Sequence, residues 1–425
     1  MYDWANSVYN LVITTTFFPI YFEGITKAAY GEFTVPFLGR TFKNSALYDY
    51  TLAFAYLSIA LILPILSSIA DSRGSKKRFM QFFCLMGSLG CFGLFWFKGP
   101  EPNMVLGISC FIFAAIGYVG SLVFYNSYLP EIAAPEDRDR VSARGYAMGY
   151  IGSVILQLVG FGLVLYFSAS GDETSGPRYT FLLVGLWWIG FAQIPFAVLP
   201  DNRTHSHRTF KEILVGGFLE LKKVWNQLKQ LKVMKWFLTG FFFYSMGVQT
   251  VMLAAILFAR QALGLPADKL IITAVLIQLV AIPGAMLMSR LSGKLGNLNV
   301  IIGVVVFWIL ICLTTYQTAI VKEAGTNVEF HFYGLAVAVG LVMGGIQSLS
   351  RSTFSKLMPP TKDTASFFSF YDVAEKIAIV IGIFSFGYID EAFGMKNSIL
   401  VLIVFFMLGL AGLFVARKKE LQLSA

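Results

Sequence analysis

Apolar residues along this chain fall into blocks of about 18 to 25 residues, separated by short polar stretches. A helix rises about 1.5 Å per residue, so a block of this length crosses about 30 Å of hydrocarbon. Lipid satisfies no backbone polar group, and we therefore expect every block to be helical. The pattern predicts twelve transmembrane helices, spans 1 to 12, at residues 4–23, 50–70, 79–97, 104–127, 143–168, 180–199, 234–259, 270–289, 299–319, 332–356, 364–389 and 396–415.

The longest polar connection divides these spans into two sets of six. We predict an N-terminal half at 1–199, a cytoplasmic linker at 200–233 and a C-terminal half at 234–425. Apolar residues recur at helical spacing from Phe210 to Leu228, which predicts an amphipathic helix in the linker. That helix could lie on the inner leaflet or pack against the underside of the protein. Two parallel six-helix repeats are an arrangement that places a transport site at their interface, near the bilayer midplane.

Composition excludes a soluble domain. Hydrophobic residues make up 56% of the chain and charged residues 13%, whereas soluble domains carry about 25% charged residues. The net charge is +9, and Lys and Arg concentrate in the loops on the side of the 71–78 turn. This asymmetry predicts a multi-pass protein of the bacterial inner membrane with both termini in the cytoplasm. Contact with anionic membrane lipids, and not nucleic-acid binding, explains the positive charge.

The residues that enzymes and metal sites need are sparse. The four cysteines fall within predicted spans without CxxC spacing, and the chain has three histidines. No glycine-rich loop followed by Lys and Ser or Thr is present in the sequence. We therefore predict no enzymatic activity, no metal and no cofactor. A membrane enzyme and a non-transporting receptor are the less favoured alternatives to a transporter.

The turn between spans 2 and 3 carries a recognisable pattern. Residues 71–78 read Asp-Ser-Arg-Gly-Ser-Lys-Lys-Arg, which resembles the loop between helices 2 and 3 in the major facilitator superfamily. A degenerate counterpart at 290–296 follows span 8. The resemblance implies the major facilitator fold: an all-α integral membrane protein of twelve transmembrane helices in two six-helix parallel repeats.

Three further stretches narrow the resemblance. They are residues 2–7 (Tyr-Asp-Trp-Ala-Asn-Ser), 126–130 (Asn-Ser-Tyr-Leu-Pro) and 344–352 (Gly-Gly-Ile-Gln-Ser-Leu-Ser-Arg-Ser). Together they resemble the vacuole-effluxer-like branch of the superfamily, whose fungal members are associated with the release of amino acids from the vacuole. The resemblance implies a monomer that exports a small organic solute, such as an amino acid, by alternating access. A lipid or drug exporter of the same fold is the alternative.

Span 11 holds the strongest candidates for chemistry. A charged group inside a span costs about 2.5 to 3.5 kcal/mol on insertion scales, so Asp372, Glu375 and Lys376 are candidates for a substrate or proton site. Asp372 and Lys376 are spaced i, i+4, which predicts an ion pair. That pairing leaves Glu375 as the expected proton carrier. The alternative is a structural charge network that closes the cytoplasmic side.

Neutral polar residues in other spans are predicted to line the central cavity, because the resemblance places spans 1, 4, 7 and 10 around it. Each of them could instead form a helix-packing hydrogen bond. A second set of charged residues is predicted to act in gating, with Asp71 close to the N-terminus of span 11. The cavity candidates are Asn6, Asn10, Tyr125, Asn126, Gln249, Gln278 and Gln347, and the gating candidates are Asp3, Asp71, Arg73, Arg144 and Arg351.

Overall fold

The computed structural model describes residues 1–31, 34–73, 75–200, 210–265 and 267–424. A π-helical segment, Tyr9–Phe17, separates α1 from α2. The other elements are α1 Tyr2–Val8, α2 Phe18–Tyr30, β1 Thr34–Phe37, β2 Arg40–Lys43, α3 Asn44–Arg73, α4 Lys76–Leu94, α5 Met104–Ser127, α6 Leu129–Ile132, α7 Arg138–Ala169, α8 Ser175–Val198, α9 Phe210–Gln230, α10 Lys232–Gln261, α11 Ala267–Leu295, α12 Asn297–Glu323, α13 Glu329–Leu357, α14 Thr364–Phe393 and α15 Met395–Ser424.

All twelve predicted spans lie on helices of the structure to within three residues, span 1 on α1, the π-helical segment and α2 together. Nine of the described helices are long and apolar enough to cross a membrane by length and composition. The helices at predicted spans 1, 3 and 11 do not meet these criteria of length and composition, each for an identifiable reason. The π-helical segment interrupts span 1, three basic residues open α4, and Asp372, Glu375 and Lys376 lie inside α14.

A β-hairpin between α2 and α3 was not predicted. Strands β1 and β2 pair antiparallel with Phe37 opposite Arg40. Leu38 and Gly39 form the two-residue turn with φ values of 48° and 76°. Such turns usually carry Asn-Gly or Asp-Gly, because both central residues need positive φ. Only the glycine of this Leu-Gly turn is typical of such hairpins, so the sequence did not indicate one.

Contacts divide the chain into two compact units, unit 1 (Met1–Tyr125 and Met148–His207) and unit 2 (Asn126–Ala147 and Arg208–Ala425). The predicted boundaries at 199 and 233 describe the sequence repeat and stay a prediction. In unit 1, α8 packs against both α1 and α4. The Trp188 ring is fully buried and lies so close to Gly87 that a Cβ at Gly87 would be 2.2 Å from it.

Unit 2 is built from α10 to α15 together with the segment 126–147. Helix α10 packs on α14 and α15, and α11 packs on α13. The second contact is close, because a Cβ at Gly284 would lie 2.2 Å from the carbonyl oxygen of Leu341. Backbones approach this closely in membranes where small residues face each other.

The linker helix α9 belongs to unit 2, and its last two turns pack against it. Val224 and Leu228 are buried, and Lys223 Nζ lies 3.0 Å from Asp363 Oδ2. The Trp225 ring stacks on Phe370 with centroids 5.6 Å apart. This part of α9 therefore contacts protein, as in the second of the two arrangements expected for the amphipathic helix. The side chains of Phe210 and Leu214 lie outside the described residues.

Candidate transport site and gating residues

A cluster of charged and polar side chains lies on α14 and its neighbour α10. Asp372 and Lys376 are 2% and 4% exposed. Lys376 Nζ lies 2.6 Å from Glu375 Oε2, and Gln249 Nε2 donates to Glu375 Oε1 at 3.0 Å. We call Gln249, Asp372, Glu375 and Lys376 the α14 cluster. Because Gln249 fixes Glu375 within reach of the lysine, both carboxylate oxygens of Glu375 have partners.

The two acids of the cluster differ in their contacts. We predicted an ion pair from Lys376 to Asp372 with Glu375 as the proton carrier, and the structure shows an ion pair from Lys376 to Glu375. The roles of the two acids stay predictions. Asp372 Oδ2 is buried and has no hydrogen-bond partner among the described residues. Buried polar atoms rarely stay unpartnered, because desolvation without a hydrogen bond costs free energy. Asp372 is therefore the acid of this cluster with capacity for a further proton or cationic group.

Arg351 on α13 is almost fully buried, with 3% of its surface exposed. Its Nε donates to Ser142 Oγ at 2.9 Å, one Nη donates to Ser142 O at 3.0 Å, and the other donates to Asn126 Oδ1 at 3.3 Å. The guanidinium carbon also lies 4.4 Å from the centre of the Tyr146 ring. Arg351 thus ties α13 to the end of α5 and the start of α7.

Arg144 has a different position from Arg351, although the sequence grouped the two as gating residues. Arg144 is exposed on α7, two residues after the serine that Arg351 binds. An exposed arginine keeps its charged group in water or among lipid headgroups, so it contributes little to the stability of the fold. In the structure Arg351 is therefore buried and hydrogen-bonded, whereas Arg144 lies on the surface.

A second buried acid, Asp139 near the start of α7, was missed in the sequence. Lys356 Nζ lies 2.6 Å from Asp139 Oδ2, Ser292 Oγ donates to Oδ2 at 2.7 Å, and Asn297 Nδ2 donates to Oδ1 at 2.8 Å. We call these four residues the Asp139 network. It joins α7 to the α11–α12 turn and the end of α13.

The sequence signal for the Asp139 network was weak. Asp139 stands among the charged residues 136–140, which look like a solvated loop. Ser292 falls within the degenerate 290–296 turn, and that turn was the feature of the sequence that indicated this region. Nothing in either segment indicates the other as its partner.

Unit 1 contributes its own polar pair from α1 and α5. Tyr125 Oη donates to Asp3 Oδ2 at 2.6 Å, and Asp3 is 3% exposed. Asn6 is fully buried, and neither amide atom has a hydrogen-bond partner among the described residues. Asn10 is half-buried in the π-helical segment. Such segments are rare and occur frequently at functional sites.

Residues 1–421 match the protein family described as vacuole effluxer Atg22 like. The chain belongs to this family. Among its relatives is YxiO of Bacillus subtilis, named an uncharacterized MFS-type transporter, which is 29% identical over 96% of this chain and 92% of YxiO. Autophagy-related protein 22 of Kluyveromyces lactis is 28% identical over 90% of this chain and 83% of that protein.

Solved structures agree with the Atg22-like assignment at the level of fold. The human organic anion transporter MFSD10 superposes with a TM-score of 0.70 at 13% identity, covering 97% of this chain and 98% of that one. The fucose:proton symporter FucP of E. coli gives a TM-score of 0.64 at 15% identity, covering 98% of each chain. The chain thus has the major facilitator fold, which confirms the predicted architecture of twelve transmembrane helices in two six-helix repeats. Proteins of this group are transporters and not enzymes, as predicted.

The three stretches that carried the Atg22-like resemblance all supply residues of these clusters. The stretch 2–7 holds Asp3 and Asn6, the stretch 126–130 begins with Asn126, and the stretch 344–352 holds Gln347 and Arg351. Gln347 Nε2 donates to the sulfur of Met252 on α10 at 3.1 Å. The polar residues of these three stretches are therefore mostly buried.

The remaining candidates lie apart from the α14 cluster, or their side chains are not among those that the structure describes. Gln278 is buried on α11. Asp71 Oδ1 lies 3.4 Å from Lys76 Nζ, with 1% of the aspartate side chain exposed. Its expected place beside the N-terminus of span 11 stays a prediction, and the side chain of Arg73 is outside the described part of the chain. Within the described residues no group of three or more His, Cys, Asp or Glu could hold a metal ion.

Proposed function

We propose that this transporter exports a zwitterionic, amino-acid-like solute across the bacterial inner membrane by alternating access, coupled to protons. The observation that carries the proposal is the α14 cluster, in which Asp372 and Lys376 are buried and Glu375 is half-buried on one helix. Charged groups inside a span mark substrate or ion pathways, because they are expensive to bury. The family description as an effluxer and the relation to Autophagy-related protein 22 support an export role.

The cluster suits a molecule with one positive and one negative charge. The ammonium group of such a solute would take the unpartnered oxygen of Asp372, and its carboxylate would compete with Glu375 for Lys376. Charge-assisted hydrogen bonds of this kind are about twice as strong as neutral ones. A bound solute would therefore satisfy the unpartnered oxygen of Asp372.

Asp372 is the proposed proton-binding group when no solute is present. A proton on the carboxylate removes the cost of burying an unpartnered charge, as the solute's ammonium does. Proton and solute therefore compete for one oxygen, which is the simplest form of exchange. FucP, which shares the fold, is named a proton symporter, so the fold is compatible with coupling of this kind.

The gating roles are proposed for the residues that tie helix ends together. In unit 2 these are Arg351 and the Asp139 network, which hold the start of α7 against α13. In unit 1 they are the Asp3–Tyr125 and Asp71–Lys76 contacts. Arg73 and Arg144 are proposed to contact the anionic inner leaflet, with both termini in the cytoplasm and the protein acting as a monomer.

Transport assays in proteoliposomes test the coupling proposal. A thermal-shift screen against neutral, acidic and basic amino acids, short peptides and sugars would first select a ligand, because a ligand that binds the folded state raises the unfolding temperature. With that ligand radiolabelled, the wild type should accumulate it against its gradient when a pH gradient is imposed. Asp372→Asn should bind the solute more weakly, because it loses the carboxylate that takes the ammonium group, and at saturating solute it should exchange the solute across the membrane without a response to the pH gradient.

Glu375→Gln is the matched control, since it removes one carboxylate from the same helix. This variant should keep the pH response and gain solute affinity by about tenfold, the equivalent of about 1.4 kcal/mol, because the solute carboxylate no longer competes with Glu375 for Lys376. Full pH-driven accumulation by Asp372→Asn would show that the proton is carried elsewhere. If no member of the screen shifts the unfolding temperature, a lipid or drug becomes the favoured cargo.

A further inference from the structure

The linker helix α9 packs one face against unit 2 and exposes the opposite face. Val224 and Leu228 are buried on the packed side. Exposed residues on the other side recur at spacings of four and three, which places them along one stripe of a helix. We call this stripe the outer face of α9, and its residues are Val215, Leu219, Lys222, Asn226 and Lys229. An exposed stripe of this length is available to a partner.

Positive charge is concentrated at the end of α9 and the start of α10. Residues 221–235 contain five lysines and no acidic residue. All five are exposed, and in the described part of the chain Lys223 is the one among them that forms an ion pair, with Asp363. Like charges on neighbouring turns repel one another, so an anionic partner stabilises such a segment. The five residues are Lys222, Lys223, Lys229, Lys232 and Lys235.

The position of these lysines relative to the bilayer follows from α10. The segment Lys232–Ala255 is long and apolar enough to cross a membrane, so its first residues mark the membrane surface. Helix α9 ends at Gln230, two residues earlier, and its last turn therefore lies at the level of the lipid headgroups. Val215 and Leu219 of the outer face are 52% and 65% exposed. A helix that presents both apolar residues and lysines at this level is suited to an anionic lipid surface.

The packed side of α9 joins it to the start of α14. Lys223 Nζ lies 3.0 Å from Asp363 Oδ2, and Asp363 directly precedes α14. The Trp225 ring stacks on Phe370, which lies two residues before Asp372. A contact that holds α9 in place therefore also holds the first two turns of α14.

We propose that the outer face of α9 and the start of α10 bind the headgroups of anionic phospholipids, and that this binding holds α9 against α14. Clusters of about four to eight basic residues beside a span are typical of sites for anionic lipids. The exposed lysines supply this charge, and Val215 and Leu219 supply apolar contact with the acyl boundary. The lipid composition of the leaflet thereby controls how firmly the start of α14 is held. The lipid surface is independent of the solute and the proton proposed for the α14 cluster.

Hydrogen–deuterium exchange of the full chain in nanodiscs tests the lipid contact. One set of nanodiscs contains phosphatidylcholine alone, and another contains equal amounts of phosphatidylcholine and phosphatidylglycerol. Each lysine near an anionic surface strengthens binding about fivefold, so the amides of α9 should exchange at least tenfold more slowly in the anionic nanodiscs. Lys222→Gln combined with Lys229→Gln removes two lysines of the outer face and should bring this ratio below about threefold.

Lys294→Gln combined with Lys418→Gln is the matched control, because it removes two exposed lysines that lie on other helices. This variant should keep the exchange ratio of α9 within about twofold of the wild type. Phosphatidylserine in place of phosphatidylglycerol should slow α9 equally, since the lysines recognise charge. An equal loss in the two double variants, slowing by one anionic lipid and not the other, or no slowing in the wild type would each overturn the proposal.

The same exchange experiment tests the link from α9 to α14. In the wild type the amides of residues 364–370 should also exchange more slowly in the anionic nanodiscs, by about threefold or more. Asp363→Asn combined with Phe370→Ala removes both contacts from the α14 side and leaves the sequence of α9 unchanged. This variant should keep the lipid effect on α9 and lose the lipid effect on α14. A wild type in which anionic lipid slows α9 and leaves α14 unchanged would show that the lipid does not hold α14, and the proposed control would be wrong.

Discussion

Two buried carboxylates in unit 2 differ in how completely they are bonded. Asp139 receives hydrogen bonds on both oxygens, from Lys356, Ser292 and Asn297. Asp372 has one oxygen without a partner among the described residues, although Arg351 and Lys376 are near enough to influence its charge. The two acids are 4% and 2% exposed, so burial alone does not distinguish them.

The difference indicates different uses for the same residue type. A buried charge network stabilises one arrangement when every member is satisfied. A buried acid with one oxygen lacking a hydrogen bond destabilises that conformation of the protein. A ligand or a proton that binds the oxygen removes this cost. We therefore propose that Asp139 holds helices together and that Asp372 binds a proton or a solute reversibly.

Breaking the Asp139 network should have the largest effect on stability. Asp139→Ala leaves Lys356 without its carboxylate, and removing one partner of a buried ion pair costs about 3 kcal/mol or more. Thermal unfolding in detergent micelles measures this loss. The double variant with Lys356→Met should recover part of it, and strictly additive losses would mean that the two residues do not interact.

Arg351→Lys should come next, with a loss of about 2 kcal/mol. Lysine carries one nitrogen and cannot reproduce the three donor contacts of the guanidinium to Ser142 and Asn126. The same substitution at the exposed Arg144 is the control and should stay within about 0.5 kcal/mol of the wild type. Equal losses at the two positions in an unfolding experiment would remove the distinction between them.

Asp372→Asn should change stability by less than about 1 kcal/mol, because its Oδ2 gives up no hydrogen bond. The comparison with Asp139→Asn is then direct, since both variants remove a charge from a buried acid and keep its shape. Unfolding midpoints measured side by side should show the larger shift for Asp139→Asn. A larger shift for Asp372→Asn would identify Asp372 as a structural residue.

Asp172, an acid in the loop before α8, should show the smallest effect. Hydrogen bonds from Ser175 and Thr174 lower the pKa of Asp172 to about 2, below its unfolded value of about 3.9. A depressed folded-state pKa contributes stability above about pH 4, and this contribution is lost as the pH falls toward 2. The difference in unfolding midpoint between wild type and Asp172→Ala should therefore shrink between pH 4 and pH 2. An unchanged difference would mean that the hydrogen bonds at this helix start do not depend on ionisation.

Most of the helices followed from the sequence because a bilayer imposes a length on every apolar block. Even span 11, with its three charged residues, was recognised from its length and flanking turns. The hairpin at β1 and β2 was missed because Leu38 is not a usual residue for positive φ. Sequence patterns within single segments predicted the helices, because a bilayer permits few alternatives. They missed the hairpin, because its turn contains a residue that is unusual at positive φ.

The candidate site was predicted less completely than the fold. Asp372, Glu375 and Lys376 were found because charges in a span are conspicuous, but their pairing was not. A sequence spacing of i, i+4 favours a contact on an isolated helix by only about 0.2 to 0.5 kcal/mol. Glu375 is also bonded by the amide of Gln249, which comes from a helix distant in sequence and which no local spacing indicates.

The sequence by itself determined that this is a multi-pass membrane protein, how many spans it has and which span carries three charged residues, because these depend on the length and composition of single segments. Only the tertiary structure decided that both oxygens of Asp139 are bonded while Oδ2 of Asp372 is not, and that Asp139 is buried while Arg144 is exposed. These outcomes depend on partners more than 100 residues away, such as Lys356 for Asp139. No local pattern encodes such a partner, since the side chains meet only after the helices have packed.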